Sequence, residues 1–341
     1  MDMILRRLPF FLVAAATTLL FVTGACDEGR PSRSRRLTDR QTVRVAVVSE
    51  GKDEPTWQII TSVARRFEKL YPYAKFDVVA PASATPTAQQ EILEGFLKGD
   101  ANVICVIPID AMATRAVIDR LVKAGRPIVT IGRDSPQSGR AVFCGPAESE
   151  VGRRAAEACR LALPEDTRTA MILHGGEDRE AFRGRYYAFK AALPTVGKVR
   201  VLREIDCRGN PVEAVRLVRE QSRLYPRVGC WVLLEDWPLR TLRPADRLLP
   251  LGIRMVLCNG SPKYFARMRS GEITAIVTFD YLDAVENGFR AALRLSVGEG
   301  VESASIVASP TETITIRELN GYERRWQDWQ EGRPTPKMSP R

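Results

Sequence analysis

The residues best suited to chemistry stand directly after apolar, strand-like runs of the sequence. Arg133 and Asp134 follow the run PIVTI, Glu235 and Asp236 follow CWVLL, and Ser49 follows VRVAVV. The same position after other runs is taken by Asp110, His174, Asn259 and Asp280. This mixture of planar donors, carboxylates and nearby tryptophan suits a polyhydroxylated ligand such as a sugar. Adjacent hydroxyls form paired hydrogen bonds, and an aromatic ring covers the C–H face of such a ligand.

The sequence lacks the common signatures of catalysis and of cofactor binding. It contains no G-x-G-x-x-G after a strand, no phosphate-binding G-x-x-x-x-G-K-[S/T] and no G-x-S-x-G. His174 is the only histidine, which disfavours a Ser-His or Cys-His nucleophile and a metal site. Facing carboxylates such as Asp134 and Asp236 would form an acid–base pair, although no motif brings them together. The sequence therefore favours binding over catalysis, without a cofactor.

The elements that must position these residues alternate between short apolar runs and stretches with helical spacing. Strands are predicted at 43–48, 75–80, 103–107, 127–131, 169–173, 199–205, 230–234, 254–258, 273–279 and 312–316. Helices are predicted near 55–67, 87–97, 111–124, 148–162, 180–193, 211–224, 262–269 and 282–297, with another within 238–250. Continuous apolar strands separated by helices predict parallel sheets that are covered on both faces.

The number of these units predicts two lobes. About ten strand–helix units exceed one sheet of ordinary width, and 341 residues are too many for one ordinary domain. The predicted fold class is α/β, with two doubly wound parallel-sheet lobes. In such sheets, ligands bind beyond the carboxyl ends of the strands, where the polar residues named above stand.

The first residues resemble an export signal. Arg6 and Arg7 precede the apolar run 8–22, which ends in Thr-Gly-Ala-Cys at Cys26. The run is too short for a membrane span, which needs about 20 residues. We expect residues 1–25 to be a signal peptide and Cys26 to be lipidated, as in bacterial lipoproteins; the alternative is an ordinary signal or an uncleaved anchor. Residues 26–42 are polar and predict a flexible tether, and 331–341 predict a polar tail.

Composition and charge narrow the class of protein. The chain is 45% hydrophobic and 27% charged, which is typical of a folded globular protein. Its formal charge of +10 is spread along the chain without a basic run or zinc-finger spacing, so no nucleic-acid partner is expected. Six cysteines follow Cys26 without a C-x-x-C pair, and their disulfide state stays open.

Several segments, taken in order, resemble a known family. They include VAVVSEGKDEPTW, CVIPIDAMAT, AGRPIVTIGRDSPQSGRAVFCGPAESEVGRRAAE, FRGRYYAFKAAL, VLLED and VLCNGSPKYFARMRSGEITAIV. They resemble the type I periplasmic substrate-binding proteins, the ribose- and xylose-type sugar-binding components of ABC importers. The resemblance implies two lobes joined by a hinge, with a ligand buried between them on closure. One lobe would comprise 43–145 and 280–308, and the other 146–279 and 309–330.

The resemblance also implies a set of ligand-binding residues. Position by position, these are Ser49, Glu54, Trp57, Arg133, Asp134, Arg183, Glu235, Asp236, Asn259 and Asp280. Arg185 is expected to be structural instead. Gly132 stands where the family commonly has an acidic sugar ligand, which indicates an altered site.

The functional expectation is an extracytoplasmic lipoprotein that delivers a small polar ligand, such as a sugar, to an ABC permease. The alternative is a ligand-sensing module of the same fold that presents its ligand to a membrane sensor kinase or receptor. A repressor of this fold would need an N-terminal helix-turn-helix, whereas residues 1–42 have the pattern of a signal and a tether.

Overall fold

The computed structural model describes residues 42–163, 168–175, 180–299 and 305–333. The predicted signal peptide, Cys26 and nearly all of the predicted tether lie outside the described residues, as does most of the predicted polar tail. Strands β1 to β12 are Val43–Val48, Ala74–Val79, Val103–Val106, Ile128–Ile131, Val142–Pro146, Thr169–His174, Arg200–Asp206, Cys230–Leu233, Arg254–Leu257, Ala275–Phe279, Ser305–Ser309 and Thr311–Thr315. Helices α1 to α9 are Pro55–Leu70, Pro86–Gly95, Ala111–Lys123, Glu148–Ala162, Glu180–Val196, Pro211–Leu224, Phe265–Arg269, Tyr281–Ser296 and Leu319–Gln330.

Two six-stranded sheets organise these elements. The first has the order β11-β5-β4-β3-β1-β2, and the second has the order β12-β10-β9-β8-β6-β7. All neighbouring strands are parallel except β12, which runs antiparallel to β10. The α/β fold class with two doubly wound lobes is therefore confirmed, and the two sheets repeat one spatial order.

The chain passes between the sheets at three places. It leaves the first sheet after β5, because α4 packs on strands of the second sheet. It returns after β10, because α8 packs on β3, β4 and β5. It leaves again between β11 and β12, which are separated only by Pro310. We call the lobe built on the first sheet the N-lobe and the other the C-lobe.

Local sequence explains where many helices begin. Asp110 and Asn210 accept hydrogen bonds from backbone N–H groups of the first turns of α3 and α6, and Asp280 does the same for α8. The Thr85 side chain accepts from Ala88 N at the start of α2. Pro55, Pro86 and Pro211 occupy first-turn positions, where a missing N–H costs nothing.

The C-terminal helix α9 was not predicted from the sequence, and it contacts both lobes. Its residues Tyr322, Trp326 and Trp329 are buried. The helix packs on α1 of the N-lobe and on β12 of the C-lobe, and Ser62 Oγ donates to the carbonyl of Gln330 at 2.5 Å. Burial of its apolar side chains stabilises the contact of α9 with both lobes, next to the crossovers.

Two other expectations differ from the structure. The helix predicted within 238–250 is wrong: a 3-10 turn covers Trp237–Leu239, and turns follow it. Pro238, Pro244 and Pro250 each remove a backbone donor there, so a longer helix cannot form. Strand β11 was not predicted, and its exposed position at the edge of the first sheet accounts for its weak apolar signal.

Candidate functional site

A cavity of about 700 Å³ lies between the lobes, within the usual range for small-ligand sites. Its polar lining from the N-lobe consists of Glu50, Glu54, Thr56 and Arg133. Its charged and amide lining from the C-lobe consists of Glu148, Arg185, Glu235, Asp236, Arg240, Asn259, Lys263 and Arg267. Half of these twelve residues lie within three residues of the carboxyl end of a strand, as expected for an open α/β sheet: Glu50, Arg133, Glu148, Glu235, Asp236 and Asn259.

Arg133 directs its guanidinium across the N-lobe side of the cavity. Its Nη1 donates to the carbonyls of Pro108 at 2.8 Å and Ile109 at 3.0 Å, and to Glu50 Oε1 at 3.2 Å. Its Nη2 lies 3.9 Å from Glu235 of the C-lobe. The carbonyl contacts fix the plane of the guanidinium, so Nη2 is presented to the cavity.

Arg185 of α5 places a guanidinium group on the C-lobe side of the cavity, opposite that of Arg133. It forms two hydrogen bonds with Glu148, Nε to Oε2 at 2.7 Å and Nη2 to Oε1 at 3.1 Å. Its Nη1 also donates to Glu235 Oε2 at 3.1 Å and to the Leu234 carbonyl at 2.5 Å. A buried guanidinium needs this number of acceptors, because an unpaired buried charge is strongly destabilising.

Glu235 and Asp236, which follow β8, are the most buried carboxylates of the site. Glu235 accepts from Asn259 at 3.2 Å and lies 3.5 Å from Arg240. Asp236 accepts from Arg240 Nε and from the Tyr264 hydroxyl, each at 2.5 Å. Both carboxylates therefore have their positions fixed by donors on several elements of the C-lobe.

Burial and the neighbouring charges shift the pKa values of the carboxyl groups in different directions. Burial raises the pKa of Glu50 and Glu148 despite the opposing charges of Arg133 and Arg185. Burial also raises the pKa of Asp236, against the charge of Arg240. Although burial acts to raise the pKa of Glu235, the charges of Arg185, Arg133 and Arg240 outweigh it and hold that pKa below its usual value.

Aromatic side chains near the crossovers form the apolar part of the lining. Phe279 and Tyr281 stack with ring centroids 4.1 Å apart, and Tyr281 lies 5.1 Å from Trp326 of α9. All three line the cavity. Aromatic rings beside planar donors are the combination that a sugar ring requires.

Five of the ten residues that the resemblance implied line the cavity: Glu54, Arg133, Glu235, Asp236 and Asn259. Asn259 Oδ1 also accepts from Ser261 N at 2.9 Å, which orients its amide donor towards Glu235. Gly132, the position that departs from the family pattern, also lines the cavity, and its φ of 71° is one that glycine tolerates.

The other five residues lie outside the lining. Asp134 accepts from Arg140 at 2.5 and 2.6 Å, and both side chains are buried together, so Asp134 does not face Asp236 as an acid–base partner. Ser49 is fully buried beneath the site, and Trp57 is half-buried elsewhere on α1. Asp280 caps α8.

The structure places Arg183 and Arg185 differently from what the resemblance implied. Arg183 is exposed, and its guanidinium lies over the Tyr187 ring at 5.8 Å. Arg185, expected to be structural, lies in the cavity. The two positions differ by about 200° around a helix, so an alignment slip of two residues moves the side chain to the opposite face.

Other lining residues were not selected from the sequence. Glu50 stands beside Ser49, so its position after β1 was a usable signal. Glu148 and Tyr281 stand two residues after the ends of β5 and β10, so the same signal applied to them. Arg240, Lys263 and Trp326 gave no such signal, because they reach the cavity from loops or helices farther from a strand end.

Comparison with protein families agrees with this geometry. The model for the periplasmic binding protein domain matches residues 45–300, which is most of the chain. The chain belongs to the periplasmic binding protein family. The predicted family is thereby confirmed, as are a binding rather than an enzymatic role and an extracytoplasmic location. Among curated protein sequences, none matches this chain significantly.

Solved structures of the family share the fold of this chain at low sequence identity. A solute-binding protein from Burkholderia graminis in complex with D-arabinose is 16% identical, with a TM-score of 0.67 over 84% of this chain and 99% of its own. One from Agrobacterium vitis bound with tagatopyranose is 13% identical, with a TM-score of 0.69 over 83% and 98%. One from Bacillus halodurans with myo-inositol is 18% identical, with a TM-score of 0.64 over 84% and 99%.

Other chemistry is not indicated by the part of the chain that the structure describes. No group of histidine, cysteine or carboxylate side chains there is arranged to hold a metal ion. The side chains of six cysteines are buried: Cys105, Cys144, Cys159, Cys207, Cys230 and Cys258. Within the same residues, every helix is too short or too polar to cross a bilayer.

Proposed function

We propose that this protein is the solute-binding component of an ABC importer and captures a small polyhydroxylated ligand, such as a sugar, between its lobes. A lipid on Cys26 would hold it at the outer face of a membrane, where a permease receives the ligand. The observation that carries the proposal is the placement of Arg133 and Arg185, from opposite lobes, in one cavity beside stacked aromatic rings.

This arrangement suits capture by closure. Hydroxyl groups of a ligand would receive N–H groups from both lobes at once, so the closed state gains hydrogen bonds that the open state lacks. The C–H face of the ligand would lie against Phe279, Tyr281 or Trp326. The sugars and inositol bound by the structural neighbours have this combination of hydroxyls and C–H face.

A thermal-shift screen of the purified protein with pentoses, hexoses, inositols and amino sugars tests the proposal. A ligand at one hundred times its Kd stabilises the folded state by about 2.7 kcal/mol. We expect Arg133→Gln to abolish the shift, and Arg183→Gln, an exposed arginine outside the lining, to retain it. A screen without any shift would contradict a sugar ligand.

The anchor and the partner need separate measurements. Detergent phase partition of cells that express the wild type and Cys26→Ser tests the lipid, since only the wild type should enter the detergent phase. Genes for a permease and an ATPase beside this one, and uptake that depends on them, would support the importer. An adjacent sensor kinase gene without a permease would favour the sensing alternative.

A further inference from the structure

The cavity has an excess of negative charge, in contrast to the whole chain with its formal charge of +10. Its lining contains five carboxylates: Glu50, Glu54, Glu148, Glu235 and Asp236. Four cations face them: Arg133, Arg185, Arg240 and Lys263. The remaining cation, Arg267, is neutralised within the C-lobe, because its Nη1 lies 2.7 Å from the buried Glu272.

Most of these carboxylates are fully engaged by protein donors. Arg185 binds both oxygens of Glu148. Arg240 and Tyr264 each bind one oxygen of Asp236. Asn259 and Arg185 do the same for Glu235. Such groups have little capacity left for a ligand, because their lone pairs already accept charge-assisted hydrogen bonds.

Glu50 is different. Its side chain is only 22% exposed, and Arg133 binds its Oε1 at 3.2 Å. Within the described residues, its Oε2 has no hydrogen-bond or ion-pair partner. The same Nη1 of Arg133 also donates to two backbone carbonyls, so Arg133 only partly compensates the negative charge of Glu50. Burial raises the pKa of Glu50, and the charge of Arg133 only partly opposes this.

We propose that Glu50 selects a cationic ligand, a polyhydroxylated amine such as an amino sugar, whose ammonium group binds the free carboxylate oxygen of Glu50. The inference rests on the proposed function and narrows its ligand class. An ammonium group would neutralise the excess charge and supply the missing donor. A neutral hydroxyl supplies a donor without the charge, and an anionic ligand would add to the excess.

Calorimetric titration near neutral pH with D-glucosamine, D-galactosamine, their parent hexoses and N-acetyl-D-glucosamine tests the inference. Acetylation removes the positive charge of glucosamine and keeps its ring. Comparing glucosamine with its acetylated form therefore isolates the effect of the charge on the wild-type protein, without a variant. We expect each amine to bind at least about tenfold more tightly than its parent hexose, a difference of about 1.4 kcal/mol, because hydrogen bonds between charged groups are stronger than those between neutral groups.

The matched variants are Glu50→Gln and Asp53→Asn. Both remove one negative charge from the loop between β1 and α1, but Asp53 is exposed and lies outside the lining. Glu50→Gln should reduce the preference for the amine to about twofold or less, and Asp53→Asn should leave it unchanged. Lowering the pH should weaken binding of the amine more in the wild type than in Glu50→Gln, because protonation of Glu50 removes the attraction only in the wild type. Glu148 and Asp236, whose pKa values burial also raises, titrate in both proteins.

The outcomes separate the two proposals. Tight binding of a neutral hexose, with no gain from the amine or no effect of Glu50→Gln, overturns the role of Glu50 and leaves the sugar-binding function in place. Binding of no sugar or amine at all overturns both. Should Glu50→Gln fail to fold, equal affinity of the wild type for glucosamine and its acetylated form would by itself overturn the inference.

Discussion

The ammonium group of Lys263 lies 2.8 Å from the carboxylate of Glu54, and this ion pair joins the C-lobe to the N-lobe at the rim of the cavity. The two side chains are 44% and 30% exposed, so solvent screens their attraction. The pair thus marks a point where the lobes meet without adding much to overall stability.

We expect Lys263→Met to lower the free energy of unfolding by less than about 1 kcal/mol. Because the pair bridges the lobes, its loss should favour a more open ligand-free protein, seen as a larger radius of gyration in small-angle X-ray scattering. Arg216→Met is the control, since Arg216 pairs with Glu213 within α6. An unchanged radius for Lys263→Met would show that the pair does not hold the lobes together.

Arg185→Met should destabilise the protein by about 3–5 kcal/mol in urea unfolding, because it leaves Glu148 and Glu235 buried without their shared cation. Adding Glu148→Gln should recover part of the loss, since one of the two unpaired charges is then removed. The control Arg183→Met should cost less than about 0.5 kcal/mol, because that side chain is exposed. A similar loss in both single variants would contradict the assignment of Arg185 to the buried network.

Asp280 should make stability depend on pH. Burial raises its pKa from 3.8 to about 6. Between these values the folded protein binds a proton that the unfolded chain releases, so the free energy of unfolding should fall as the pH rises from about 4 to 6. Asp280→Asn removes this pH dependence. The asparagine side chain still offers an oxygen that accepts the hydrogen bond from Asp283 N, so the N-terminal cap of α8 is kept.

Urea unfolding of both proteins across this pH range provides the measurement. We expect the wild-type curve to fall more steeply than that of Asp280→Asn, by up to about 3 kcal/mol over the interval. Asp280→Ala, which removes the charge and the cap together, should cost about 1 kcal/mol at all pH values in addition. Parallel curves for the wild type and Asp280→Asn would show that the carboxyl group is not buried.

Trp326 and Trp329 of α9 provide a matched pair. Both are buried, but only Trp326 lines the cavity. Replacement of either by Phe should destabilise the protein by about 1–3 kcal/mol, because each leaves a void at the junction of the lobes. Only Trp326→Phe should also change the ligand Kd, as measured by calorimetric titration. Equal effects on Kd would mean that α9 acts through lobe closure rather than through contact with the ligand.

Much of the fold follows from local patterns. Apolar runs such as VRVAVV and CWVLL form strands whose residues are all or nearly all buried, and the helices between them cover both faces of each sheet. Proline and capping residues set the starts of several helices. The helix predicted within 238–250 is wrong because the three prolines of that segment outweigh the helical spacing of its apolar residues. Helix α9 has a weak sequence signal because polar and charged residues separate its buried aromatic residues.

The sequence by itself determined the α/β class, the two-lobed arrangement and the strand ends that carry Arg133, Glu235, Asp236 and Asn259. The apolar runs and the helical stretches between them are local patterns, and their alternation implies parallel sheets with ligands beyond the strand ends. Only the tertiary structure decided which polar side chains face the cavity. Asp134 turns to Arg140, Arg185 rather than Arg183 points inward, and Glu50 retains a free oxygen. A side chain's partner depends on what the other lobe and the neighbouring helices bring to it, and spacing along the chain does not encode that.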